Sequence, residues 1–224
     1  MLQKYYTNQL YPLQDKVLQA VQEVNHSFYL SGGTALSRFY LHHRYSDDLD
    51  FFVNQYPDFQ SEVGKIITHL KSKLFSIEIA NSDSSFIRLF IIENELSLKL
   101  EWINDVAYTF GQKSNESLFH RVDHWQNILS NKLSALSRNE AKDLADILFI
   151  SKKYSFSWPE IIAQAKEKDL WVEEIEISRL IFLSEVESLQ KVNWIISPDF
   201  NYLEKLKNKI ALDILEGNHN ISGN

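Results

Sequence analysis

Two aspartates one residue apart, Asp48 and Asp50, stand in the run Arg44-Tyr45-Ser46-Asp47-Asp48-Leu49-Asp50-Phe51. Residues 49–53 read as a strand, and alternate side chains of a strand share a face. Both carboxylates therefore project the same way, while Leu49, Phe51 and Val53 turn to the core. Two carboxylates this close repel unless a cation lies between them, and Mg²⁺ binds through a few carboxylates plus substrate phosphates. A third acid, Glu101, falls in Leu96-Ser97-Leu98-Lys99-Leu100-Glu101-Trp102-Ile103. There Leu96, Leu98, Leu100 and Trp102 share one face and Lys99 and Glu101 the other. If this strand lies beside the aspartate strand, Glu101 completes a three-carboxylate site for two Mg²⁺ ions, with Mn²⁺ as a substitute.

A phosphate subsite is readable upstream, in Ser31-Gly32-Gly33-Thr34-Ala35-Leu36. A short apolar run stops at Gly32 and Gly33, and a helix begins at once. Glycine allows close approach of backbone to a ligand, and a helix start offers free N–H groups and a positive dipole end. Thr34 adds a hydroxyl, and Ser46 and Lys99 join it as nucleotide-side candidates. Arg44 is placed either to fork onto phosphate or to pair with Asp47. Each of these pieces is common by itself; their order on these elements is what is specific. Adjacent His42 and His43 would point apart on a helix, and His120 and His124 have ligand-like spacing without a third partner.

The elements that must position these groups follow from pattern. Apolar residues Leu13, Val17, Ala20, Val21 and Val24 form a helical stripe, and residues 28–30 a short strand. Helices are predicted over residues 34–41 and 58–70, and strands over 74–80, 86–92 and 96–103, separated by turn clusters at 81–84 and 93–95. From Glu116 the pattern is helical almost to the end, with Asn139 and Trp158-Pro159 marking helix starts. The expected architecture is α+β: a mixed sheet with flanking helices over residues 1–112, a helical domain over 113–216, and a flexible tail at 217–224.

In the helical half, Lys132 lies one turn from Ile128 and from Leu136, on the flank of an apolar stripe. A lysine there either snorkels outward or aims into a cleft. Asp143 and Asp146 share one helix face. They serve either as charges at a helix N-terminus after an Asn139 cap, or in a site.

Composition sets limits. Hydrophobic residues make up 44% of 224, enough for a real core, and the absence of cysteine excludes disulfide frameworks, zinc ribbons and thiol catalysis. No basic leader and no membrane-spanning apolar run is visible, so a cytoplasmic protein is expected. The net charge of −7 lacks the Lys/Arg excess of a long nucleic-acid track, so contact with nucleic acid should be local.

The pattern G-G-T-A-L … R-x-S-x-D-L-D-F resembles the DNA polymerase β-like nucleotidyltransferases, and within them the AbiEii/AbiGii-type toxins. Asn131-Lys132-Leu133-Ser134-Ala135-Leu136-Ser137-Arg138 followed by Lys142-Asp143-Leu144-Ala145-Asp146 continues the similarity. The matching motifs span about half of the chain. The resemblance implies an Mg²⁺-dependent enzyme that transfers NMP from an NTP to an acceptor hydroxyl, the tRNA 3′ end. It implies a toxin with a cognate antitoxin, with Lys132 on nucleotide phosphate and Asp143 orienting the nucleotide or the acceptor. Glu101 stands where the superfamily commonly has Asp. Two alternatives share the fold: modification of a protein side chain by a nucleotidyl group, and a non-catalytic module binding nucleotide or a partner.

Overall fold

The structure, a computed structural model, describes residues 2–222 and divides into two compact units. Among the described residues, the first comprises 2–35, 45–107 and 112–123; the second, 36–44, 108–111 and 124–222. The units thus exchange segments rather than parting at one point near residue 112.

In the first unit, α1 (Leu2–Tyr5), a π-helical turn (Tyr6–Leu10) and α2 (Tyr11–Gln22) run on from one another. They lead to β1 (Tyr29–Ser31), the short helix α3 (Gly32–Ala35), β2 (Leu49–Asn54) and α4 (Phe59–Ser72). A meander follows: β3 (Ser76–Ser82), β4 (Phe86–Glu93) and β5 (Leu96–Asp105). The sheet order is β1-β2-β5-β4-β3, antiparallel except for the β2–β5 pair, which is parallel. Burial alternates along β2, β4 and the middle of β5, as period-2 patterning requires. The buried face carries an aromatic cluster: Phe51 stacks on Trp102 at 4.3 Å, Phe28 meets the same indole edge-on at 4.8 Å, and Phe59 of α4 packs on Phe28. α2 and α4 pack together and bury Leu13, Val17, Val21, Val63, Ile66 and Leu70.

His26, before β1, is 5% exposed, with its ring stacked on Phe119. Burial first, and the nearby Arg121 charge second, lower its pKa from 6.5 to about 4. Its folded-state pKa is depressed, so the stability it contributes is complete above pH 6.5. That contribution is lost as pH falls towards 4, because the unfolded chain takes a proton that the folded chain refuses. Denaturant titrations should show stability declining across this window, and His26→Phe should remove part of the decline. His43 and His124, shifted in the same direction by burial, add to the decline.

The second unit is helical: α5 (Trp125–Ala135), α6 (Ala141–Lys153), α7 (Trp158–Lys168), α8 (Glu174–Leu183) and α9 (Phe200–Glu216). α5 packs on α6 and α7, and α8 on α9. A second π-helical stretch, Leu36–Leu41, also belongs to this unit. Ser157 caps α7 ahead of Pro159, as its sequence suggested. Asn139 does not cap α6. It sits at φ 54° in the left-handed region, ending the 3₁₀ turn Leu136–Arg138, and Glu140 is the capping position.

Residues 217–222, expected within a flexible tail, are tied down. Gly217, at φ 68°, ends α9, and β7 (His219–Asn220) pairs with β6 (Phe156–Ser157). Buried Asn220 donates to the carbonyls of Ser151 and Tyr154, bonds that composition alone cannot reveal. The remainder of the expected tail, residues 223 and 224, lies outside the described residues. Among the described residues no helix is long and apolar enough to cross a membrane.

Candidate active site

The sheet register builds the acidic group. Ser31 lies opposite Asp50, Asp50 opposite Glu101, and Glu101 opposite Arg88, in one row across β1, β2, β5 and β4. Directly paired residues share a face, so Asp50, Glu101 and Arg88 emerge on the side away from the aromatic core. Lys99 projects on the same side: its ammonium lies 2.7 Å from Asp48 Oδ2 and 3.2 Å from Glu101 Oε1. Arg88 adds a second cation to Glu101, Nη2 to Oε1 at 2.6 Å. Partial burial opposes the charge on Lys99. The hydrogen bond to Asp48 and the charges of Asp48, Glu101 and Asp50 prevail, and its pKa is raised. One ammonium therefore senses all three acids at once.

Gly32 explains how the turn meets this group. It sits at φ 68°, and a Cβ built on it would overlap the Asp50 carboxylate. The backbone at Gly32 and the Asp50 side chain thus share space that any larger residue would fill. Gly32→Ala should cost about 1–2 kcal/mol from left-handed backbone strain alone. It should also push the Asp50 carboxylate aside, lowering activity more than thermal stability; melting and transfer assays on the same preparation separate the two. Thr34 spends its hydroxyl on the Asp48 carbonyl, so it shapes the aspartate loop.

Magnesium needs hard oxygen donors, often only one or two carboxylates beside substrate phosphates. Asp48 and Asp50 supply such donors. Among the described residues, however, no three Asp, Glu or His side chains are arranged to hold an ion between them. Glu101 is engaged by Arg88 and Lys99. The donor chemistry fits an ion at the aspartate pair, whereas the sequence led to the expectation of a three-carboxylate site for two ions.

A second charged cluster lies within the helical unit. Lys132 on α5 reaches Asp143 Oδ1 at 2.6 Å and Asp146 Oδ2 at 2.8 Å, both on one face of α6. Arg44 forks onto Asp146, Nε to Oδ1 at 2.7 Å and Nη2 to Oδ2 at 2.8 Å, and His43 Nε2 lies 2.9 Å from Oδ1. Arg138 closes on Asp143 Oδ2 at 2.9 Å. Burial works against the ionised form of Asp146, yet Arg44, Lys132 and His43 hold its pKa well below the carboxylate range. Burial likewise opposes the Lys132 charge, but Asp146 and Asp143 outweigh it and its pKa is raised.

This geometry revises two expectations. Arg44 is 3% exposed and its guanidinium embraces a carboxylate, in place of the phosphate or Asp47 foreseen for it. Asp47 instead accepts a hydrogen bond from Tyr6. Asp143 does stand in the first turn of α6, but it and Asp146 are 1% and 0% exposed and are neutralised by cations rather than spent on a helix start capped by Asn139. From sequence, His43 is set aside, Arg138 enters only within a motif, and Arg88 is not singled out. Arg88 carried a signal, an arginine alternating with the buried residues of an apolar run, whereas His43 carried none.

A strand and glycine turn leading to a strand that bears Asp50, with Asp48 on the loop just before it and an acid-bearing strand alongside in parallel, defines the nucleotidyltransferase fold. Two solved structures share it: JHP933 from Helicobacter pylori, and MenT4, the nucleotidyltransferase toxin Rv2826c of Mycobacterium tuberculosis H37Rv. The first has a TM-score of 0.62 and 18% identity, over 92% of this chain and 90% of that one. The second has a TM-score of 0.59 and 15% identity, over 92% and 83%. Residues 16–201 match the nucleotidyl transferase AbiEii toxin family of type IV toxin–antitoxin systems, and the chain belongs to that family. Membership implies an antitoxin counterpart. Among curated proteins none matches.

Proposed function

We propose that the chain transfers NMP from an NTP to the 3′ hydroxyl of tRNA in the cytoplasm, and that Mg²⁺ held by Asp48 and Asp50 is required. The observation that supports this most directly is the single ammonium of Lys99 contacting Asp48 and Glu101 while also sensing Asp50. It gathers acidic side chains on one face of the sheet, where Asp48 and Asp50 are the donors suited to a divalent ion beside a polyphosphate.

Bound there, the ion supplies Lewis-acid charge to the phosphate oxygens as charge develops on them. The protein's own part is position and electrostatics, because phosphoryl-type transfer asks little covalent chemistry of the enzyme. The backbone at Gly32 and Gly33 lets the triphosphate lie against the turn. Lys99 and Arg88 offset the acids, and Lys99, held beside Asp48 and Glu101, would be placed to meet a phosphate oxygen. Within the helical unit, Asp143 and Asp146 keep Lys132 charged. In the transfer, the acceptor oxygen bonds the α-phosphorus, the bond to the β-phosphate bridging oxygen breaks, and pyrophosphate leaves. The net charge of −7 fits brief contact with the end of tRNA better than a grip along its length.

Incubation with each α-labelled NTP, Mg²⁺ and total cellular RNA tests this reading. Label should enter the tRNA fraction and disappear with chelator. Label on protein would instead select the protein-modifying alternative, and no label anywhere would reject the enzymatic reading.

A further inference from the structure

The loop Tyr45–Asp48, which delivers Asp48 to the site, is gripped by the N-terminal helical segment through three consecutive residues. Tyr6 stacks on Tyr45 with ring centroids 4.2 Å apart and planes 6° from parallel, and its hydroxyl donates to Asp47 Oδ1 at 2.6 Å. Ser46 is held at both backbone groups: its N–H donates to the Tyr11 hydroxyl at 3.3 Å, and its carbonyl accepts from Gln14 Nε2 at 3.0 Å. Tyr6 and Gln14 are 1% and 0% exposed.

The π-helical turn makes this grip possible. In an α-helix, positions five apart diverge around the axis. Here the N–H of Tyr11 bonds the carbonyl of Tyr6, the five-residue spacing of a π turn, which brings the two side chains onto one side. Their rings meet at 5.6 Å and both pack on Tyr45, Tyr11 at 6.0 Å. π turns are rare and recur at functional sites. All three gripping residues precede the stretch that matches the family, residues 16–201.

We infer that Tyr6, Tyr11 and Gln14 are positioning residues for nucleotidyl transfer, fixing the loop so that the Asp48 carboxylate is presented in one place. The inference rests on the role proposed above for Asp48. A carboxylate misplaced by about 1 Å costs on the order of 100-fold in rate, whereas a loop bond of this kind carries little of the stability of a whole domain.

The test uses the full chain with Tyr6→Phe, which keeps the stacking and removes the bond to Asp47, and Gln14→Met, which removes the bond to Ser46. Both should remain folded. kcat should fall about tenfold or more with KM for NTP changed by less than about twofold, the signature of lost transition-state positioning. Amide exchange at Ser46 and Asp48 should accelerate while the rest of the sheet stays protected. Activity lost only in proportion to the folded fraction, or unchanged kcat and exchange beside an active wild type, would overturn the grip alone. A wild-type chain that transfers nothing from any NTP would overturn the reading of the site itself, and the inference with it.

Discussion

Asp48→Asn should abolish nucleotidyl transfer, by a factor on the order of 10³ or more, while leaving the chain folded. The substitution keeps the shape of the side chain and removes one negative charge from the place where Lys99 and the proposed ion compete. Asp48 contributes a carboxylate on a partly exposed loop rather than core packing, so melting should move little. Two readouts discriminate. Transfer from α-labelled NTP should vanish, and Mg²⁺ needed for nucleotide binding, followed by calorimetry, should rise steeply. Full transfer by the variant would remove the aspartate pair from the chemistry.

Asp146→Ala should produce the opposite pattern, a large loss of stability before any question of activity. The carboxylate is 0% exposed, accepts both arms of the Arg44 fork, and contacts Lys132 and His43. Its removal leaves two buried cations short of a partner, a defect that costs about 3–5 kcal/mol. In a chain of this size that corresponds to a fall in Tm of roughly 6–20 °C. The pH dependence follows from the depressed pKa. The Asp146 contribution is complete above the unfolded value of about 3.9 and is lost only as pH falls through the lower folded value. The deficit of the variant should therefore be constant near neutrality and shrink only in strong acid. Chemical denaturation at several pH values measures it; a variant as stable as the parent at pH 7 would show that the cations find other partners.

The contrast between these substitutions explains what the sequence could disclose. Strand alternation is written in period two, so the exposed face bearing Asp50, Lys99 and Glu101 was legible, and with it the α+β class. The positive-φ role of Gly32 was likewise foreseeable from two glycines ending an apolar run. Pairing is different. That β5 lies beside β2 depends on a crossover through the meander, and no local feature of residues 96–105 announces it. The partners of the cations were also hidden. Arg44 and Asp146 are separated by 102 positions, and a guanidinium suited to phosphate is equally suited to a carboxylate. Asn139 misled because the same residue type favours both a helix cap and the left-handed conformation that ends a turn.

The parallel pairing of β2 with β5 also bears on when a toxin of this build becomes dangerous. Asp50 gains Glu101 as a neighbour only after the whole of β3, β4 and most of β5 has been synthesised and laid into place. Long-range strand pairing of this kind closes late, because distant segments must meet before contacts reward them. A ribosome-bound fragment ending before residue 101 holds the glycine turn and both aspartates yet lacks the opposing acid and Lys132. On the function proposed above, such a fragment would transfer nothing, and activity would begin only with the finished fold.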